Sequence, residues 1–174
     1  MATTPNIRPL TPSDWQRYKS IRLRSLENSP DAFGSTFERE LTLTDEEWQA
    51  RVNPALREGL ALPLIVEFDG NAVGLACGVI HRADVSVAHV YQMWISPEMR
   101  GKGIAKALLA QIKTWAVNMN CKCITLGVTT NNHAAVSLYK SFGFVATGDV
   151  EELRAGSALR SQTMVFELTD SYQH

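Results

Sequence analysis

Arg100-Gly101-Lys102-Gly103-Ile104-Ala105-Lys106 is the segment of this 174-residue chain whose residue types and spacing point most directly to a ligand. Glycines at 101 and 103 let the backbone approach a bound group closely. The apolar residues that follow, spaced by three and four, begin a helix. The first amides of a helix lack an intrahelical acceptor, and the helix dipole adds positive potential at that end. With Arg100, Lys102 and Lys106 around them, they suit an anion such as a pyrophosphate. A turn of this kind can equally be a plain connection from strand to helix. Two nucleotide motifs do not fit. A Walker A loop needs Ser or Thr after Gly-Lys, and Gly103 stands there. A dinucleotide fingerprint needs Gly or Ala where Lys106 stands and an acid about 20 residues on, whereas the next acid is Asp149.

Charge distribution supports an anion held locally. Between Met99 and Gly148 there is no Asp or Glu, while Arg100, Lys102, Lys106, Lys113, Lys122 and Lys140 bring the segment to +6; with −1 overall, the rest carries −7. A nucleic-acid binder would carry a strongly basic domain instead. The composition, 45% hydrophobic and 20% charged, is that of a globular protein, and the length suits one domain, residues 1–174. No apolar run approaches the roughly 20 residues of a membrane helix. Met1 to Pro9 shows no secretory leader pattern. Cys77, Cys121 and Cys123 are too few and too irregular for a disulfide framework, so a cytoplasmic location is the expectation.

The elements that must position the turn follow from pattern. Ile7 to Leu10 reads as a strand, and Thr11-Pro12 opens a helix that carries Trp15, Tyr18, Ile21 and Leu26 before Ser29-Pro30-Asp31 breaks it. A second helix starts at Thr44, with Glu47 completing a capping box, and ends near Asn53-Pro54. Leu62 to Phe68 and Ala72 to Ile80 are strands joined by a turn at Asp69-Gly70-Asn71. Val85 to Ile95 is a third strand, stopped by Ser96-Pro97. Ile104 to Met119 is the clearest amphipathic helix. A strand from Cys123 to Val128, a helix from His133 to Phe142, and closing strands at Phe144 to Ala146 and Gln162 to Leu168 complete a mixed α/β (α+β) domain.

Two motifs in order carry a resemblance. Met93-Trp94-Ile95-Ser96-Pro97-Glu98-Met99-Arg100-Gly101-Lys102-Gly103-Ile104-Ala105 resembles the acetyl-CoA motif of the GNAT superfamily, Arg/Gln-x-x-Gly-x-Gly/Ala, with Arg100, Gly103 and Ala105 in its defined positions. Asn132-x-x-Ala135-x-x-Leu138-Tyr139, then Gly143-Phe144, resembles its second motif. The resemblance implies a GNAT fold: a central mixed sheet, flanked by helices and splayed at a bulge near Trp94-Ile95. It also implies an acetyl-CoA-dependent N-acetyltransferase, with pantetheine beside Met93, Trp94 and Ile95, pyrophosphate on the amides of residues 101 to 106, and Asn132 on the cofactor arm. Homodimers are common in the family, but the sequence displays no dimer.

Acetyl transfer from a thioester needs a neutral amine, donors for the oxyanion and a proton for the departing thiolate. The resemblance makes Tyr139 that acid, and a phenol with an ordinary pKa near ~10 keeps its proton at neutral pH. Alternatively, Tyr139 packs beside Leu138 and Phe142. His89 and Tyr91, two apart on one strand, share a face, and His89 is a candidate base. Arylalkylamine acetyltransferases of the superfamily carry a histidine at both positions, so this chain matches half of that pair. A strand histidine without catalytic duty is the other reading, and Glu67 is a further candidate base. The acceptor is expected to be a small-molecule amine. The acid-rich stretch Glu27 to Glu47 is either a site for a cationic amine or a solvated surface, and Phe33 and Phe37 either line a pocket or belong to the core. Cys121, Cys123 and His133 do not form a metal set, so no metal is expected.

Overall fold

The computed structural model describes residues 4–168; the two ends of the expected domain, residues 1–3 and 169–174, lie outside that range. Seven strands form one sheet: β1 (Asn6–Pro9), β2 (Ala61–Phe68), β3 (Asn71–Ile80), β4 (Val87–Ile95), β5 (Cys123–Thr129), β6 (Val145–Glu152) and β7 (Arg160–Glu167). Their spatial order is β1-β2-β3-β4-β5-β7-β6. Among the described residues β4 and β5 alone pair in parallel; the other neighbours are antiparallel. The sheet is therefore mixed, as expected.

Each face of the sheet carries its own core. On one face α5 (Ile104–Asn118) buries Ile104, Leu108, Leu109, Ile112 and Ala116 against Leu64, Val66, Ala88 and Val90. On the other, α1 (Trp15–Asn28) buries Tyr18, Ile21 and Leu26 with Trp48, Ile65, Leu75 and Trp94. Leu64, Ile65 and Val66 thus divide between the faces, as the two-residue period of a strand demands. Gly78 sets how closely α5 can lie: a Cβ there would come within 2.8 Å of the Trp115 ring.

Several local expectations hold. In the capping box of α3 (Asp45–Arg51), Glu47 N–H donates to Thr44 Oγ1 at 3.2 Å and Thr44 N–H donates to Glu47 Oε2 at 2.7 Å. The helix α6 spans His133–Phe142. Other expectations need correction. The β2–β3 turn is Asp69-Gly70, both at positive φ, and Asn71 already belongs to β3. Thr11 and Pro12 open a 3-10 turn, Pro12–Asp14, and α1 proper starts at Trp15. β4 starts at Val87 rather than Val85. Two short helices, α2 (Phe37–Leu41) and α4 (Pro54–Arg57), lie where no helix was expected. Five and four residues are too short for a hydrophobic period to register. β6 runs to Glu152, well beyond Ala146, because an edge strand whose residues are all exposed needs no apolar alternation.

Candidate active site

The site arises where β4 and β5 part. Their pairing runs from Val87↔Cys123 to His89↔Thr125 and goes no further, although both strands continue. A cleft of about 820 Å³ opens in the gap, with Met93, Trp94 and Ile95 on one wall and Gly127, Val128 and Thr129 on the other. Across β4, Cys77 faces Tyr91 while Leu75 faces Trp94, so β4 carries one residue more than β3 over this interval. The bulge residue is Gln92, held at φ 61°, a left-handed conformation unusual for a non-glycine side chain. The distortion therefore lies two residues before the Trp94-Ile95 position expected from the resemblance. It returns Trp94 to the face that Tyr91 uses.

The glycine turn closes one end of the cleft. Gly101 and Gly103 sit at φ 76° and 81°, and a Cβ on either would meet no atom within 4 Å. Their backbone faces open space, as an approaching ligand requires. The helical bonds of α5 include Ala107 N–H to Gly103 O at 3.1 Å. Hydrogen bonding from i to i−4 leaves the amides of Ile104, Ala105 and Lys106 without helical acceptors. Arg100, Gly101, Gly103, Ile104, Ala105 and Lys106 all line the cleft. Lys102 is exposed and does not line it. Arg100 also holds the turn in place, because its Nε donates to Ile95 O at 2.9 Å and ties the turn to the end of β4.

Four residues of the second motif, Asn132, Ala135, Leu138 and Tyr139, reach the same space, two of them with polar groups. Asn132 caps α6 by accepting from Ala135 N–H at 3.2 Å, which leaves its amide NH₂ for other partners. Tyr139 lines the cleft but is 7% exposed, with its ring edge-on to Phe144 at 5.8 Å. Burial pushes its phenol up to about 12, so the proton stays on oxygen throughout the neutral range.

His89 lies apart from this group. Its ring stacks on Tyr91 with centroids 5.7 Å apart and meets His81 at 4.6 Å. The shared face expected for His89 and Tyr91 is thus present, yet His89 lines neither the cleft nor the smaller pocket that His81 and Tyr91 share, and it borders that pocket only through those two rings. Burial first, and His81 second, lower its pKa below the usual imidazole value, which favours the neutral ring. His81 Nε2 and Tyr91 Oη are 2.9 Å apart, and both line a second, smaller pocket of about 220 Å³ with Gln92. β4 borders both concavities: Gln92 lines the smaller and the next residue, Met93, lines the cleft.

Other candidates are held elsewhere. Glu67 is clamped between Arg8 and Arg17 and lines neither concavity, so its carboxylate is occupied rather than poised as a base. From the acidic stretch, Glu40 is buried between Arg22 and Arg51, and Asp45 lies 3.6 Å from Lys19. Phe33 and Phe37 belong to the core. Asn28, Ser29 and Asp31 do reach the cleft, and Thr129 Oγ1 anchors this wall by donating to Asp31 O at 2.7 Å. Sequence reasoning did not single out Arg51, Arg57, His81 or Gln92. The period-two run Cys77, Val79, His81 could have placed His81 on the face of Tyr91, but the arginines carried no signal.

Residues 20–144 match the acetyltransferase (GNAT) family. The chain belongs to that family. Among curated relatives, the human N-acetylaspartate synthetase is 39% identical over 80 residues, 46% of this chain and 26% of that protein. The zebrafish (Danio rerio) N-acetylaspartate synthetase is 30% identical over 110 residues, 62% of this chain and 39% of that one. The chain thus spans only a quarter to two fifths of these relatives' lengths. Among solved structures, a GNAT-family acetyltransferase from Streptococcus pneumoniae superposes with a TM-score of 0.80 at 21% identity, covering 95% of this chain and all of that one. The spermidine N-acetyltransferase of Vibrio cholerae, in complex with CoA and spermine, gives 0.74 at 23% identity over 94% and 95% of the two chains. These likenesses show the GNAT fold.

Proposed function

We propose that the chain transfers the acetyl group of acetyl-CoA to a primary amine on a small molecule, by direct attack within a ternary complex. The observation that carries this reading is a pair of concavities bordered by consecutive residues of β4, Gln92 for the smaller and Met93 for the larger. The larger, with the glycine turn at one end and Tyr139 in its lining, suits a pyrophosphate-bearing thioester; the smaller suits an amine of modest size.

The open Cβ positions of Gly101 and Gly103 and the free first amides of α5 form a cradle for the pyrophosphate. The β4 edge beyond His89, no longer paired with β5, offers backbone groups to the pantetheine amides. Tyr139 keeps its proton and donates it to the departing thiolate. The His81–Tyr91–His89 cluster takes the proton that the attacking amine must lose, with His89 favoured in its neutral form. Cys77 lines the smaller pocket, but burial pushes its thiol up to about 11, so it is poorly suited to carry an acyl group. Direct attack needs no such carrier.

The relatives' names point to acceptors of opposite charge, aspartate in one case and spermidine in the other. The deciding experiment measures CoA thiol release from acetyl-CoA across amino acids, polyamines, aminoglycosides and peptide N-termini. Turnover with a small amine is expected. Tight acetyl-CoA binding without turnover of any amine would leave a non-catalytic acyl-CoA-binding module, and turnover of peptides alone would make the acceptor a protein.

A further inference from the structure

The smaller pocket has a definite electrostatic character. Its ionisable and polar lining consists of Arg51, Arg57, His81, Tyr91, Gln92 and Tyr18, with the Cys77 thiol, and among the described residues no Asp or Glu takes part. Arg51 comes from α3 and Arg57 from the end of α4, which brings two guanidiniums to one small space. The charges of both are felt by the Cys77 thiol, which lines the same pocket. Glu40 is the carboxylate that pairs with Arg51, and it is already shared. Arg22 donates to it twice, at 3.0 and 2.8 Å, and Arg51 once, at 2.7 Å. Two guanidiniums on one carboxylate leave one positive charge uncompensated. Arg57 adds another: it has no salt bridge among the described residues, and the neighbouring Glu58 pairs with Arg82 instead.

A cationic acceptor such as a polyamine would be repelled here. A carboxylate would gain charge-assisted hydrogen bonds from donors whose planar geometry matches it. From this arrangement we propose that the acetyl acceptor is an amine that also bears a carboxylate, held by Arg57 and Arg51 while its amino group points toward the Gln92 bulge and the cleft. The proposal rests on the acetyltransferase reading and names the substrate class for it. In the reaction the amine nitrogen bonds to the acetyl carbon and the carbon–sulfur bond breaks. The amine proton passes to the histidine–tyrosine cluster, and the thiolate is protonated to CoA.

The test compares L-aspartate and L-glutamate with aspartate dimethyl ester and spermidine as acceptors, by thiol release at saturating acetyl-CoA. The free acids should have kcat/KM at least ~10-fold above the ester and the polyamine. Arg57→Gln, an exposed change remote from the cores, should raise the KM for the acids by ~10- to 100-fold with kcat and the acetyl-CoA KM little altered. Equal or better turnover of the ester or spermidine overturns the proposal, as does an acid KM indifferent to Arg57→Gln. If no amine releases CoA, the acetyltransferase reading fails instead. Calorimetric titration of the CoA-saturated protein then decides the pocket: aspartate binding weakened by Arg57→Gln supports the charge preference, and its absence or preferential spermidine binding overturns it.

Discussion

The Tyr18 hydroxyl donates a 2.7 Å hydrogen bond to Oε1 of Gln92, so a helix from the first quarter of the chain grips the bulge of β4. Gln92 sits at φ 61°, and a left-handed non-glycine residue persists only where its surroundings over-determine it. Tyr18 is buried, edge-on to Trp48 at 5.7 Å, and Arg51 Nη1 reaches its oxygen at 3.5 Å. The bulge, whose Gln92 lines the smaller pocket, is thereby tied to Arg51, one of that pocket's two arginines. Tyr18→Phe should cost about 1 kcal/mol of stability in urea unfolding, the net value of one buried hydrogen bond. It should also reduce turnover; wild-type turnover in the phenylalanine variant would remove the bond from any part in shaping the site.

Tyr139→Phe should lower kcat by ~10²- to 10⁴-fold if the phenol is the acid for the leaving thiolate. Acetyl-CoA affinity, measured by calorimetry, should barely change, because the ring and its contact with Phe144 remain. Equal losses in kcat and affinity would make Tyr139 a packing residue. Since burial holds its pKa at about 12, Tyr139 should give no alkaline limb in the accessible pH range.

The pH–rate profile should show an acidic limb centred below ~6.5, the ordinary imidazole value. His89 is held below that value by burial and by His81, so its base form persists as pH falls and is lost only on passing the lowered pKa. His89→Ala should abolish the limb. His81→Asn removes the neighbouring imidazole that lowers the His89 pKa and should move the limb upward. An acidic limb that survives His89→Ala unchanged excludes His89 as the base.

Gly103→Ala separates local strain from packing. Nothing lies within 4 Å of the added methyl, so its cost of about 1 kcal/mol comes from φ 81°. Gly103 also lines the cleft, so the strain falls on the turn proposed to hold the ligand. Acetyl-CoA should bind at least ~10-fold more weakly, a loss of about 1.4 kcal/mol. Calorimetry showing unchanged affinity would remove the turn from the donor site.

Glu40→Gln tests the buried cluster beneath the smaller pocket. Without its carboxylate, Arg22 and Arg51 face each other unneutralised, and about 3–5 kcal/mol of stability should be lost. Burial opposes ionisation of Glu40, but the bonds from Arg22 and Arg51 prevail and its pKa is lowered. A lowered carboxylate pKa stabilises the fold above the unfolded value of about 4.3 and loses that contribution as pH falls through the folded value. Wild-type protein should therefore lose stability on acidification below about pH 4.3 more steeply than the Gln variant; parallel curves would contradict the assignment.

Parts built from near neighbours were legible in the amino-acid order alone. The Thr44–Glu47 capping box, the stripe from Ile104 to Ala116 and the glycine turn at 101 and 103 each depend on residues within one or a few turns, so composition and spacing express them directly. Features that depend on register and long-range pairing appeared only with the folded chain. One extra residue at Gln92 shifts every side chain after it, and no local pattern announces an insertion in an otherwise apolar strand. Glu67 and Glu40 read as free acids until Arg8, Arg17, Arg22 and Arg51, distant in sequence for the most part, take up their charge. The smaller pocket draws Arg51, Arg57, His81 and Tyr91 from four separate places along the chain. Its positive character, opposite to that of the acidic stretch Glu27 to Glu47, exists only once folding has engaged Glu40 and left the arginines in excess.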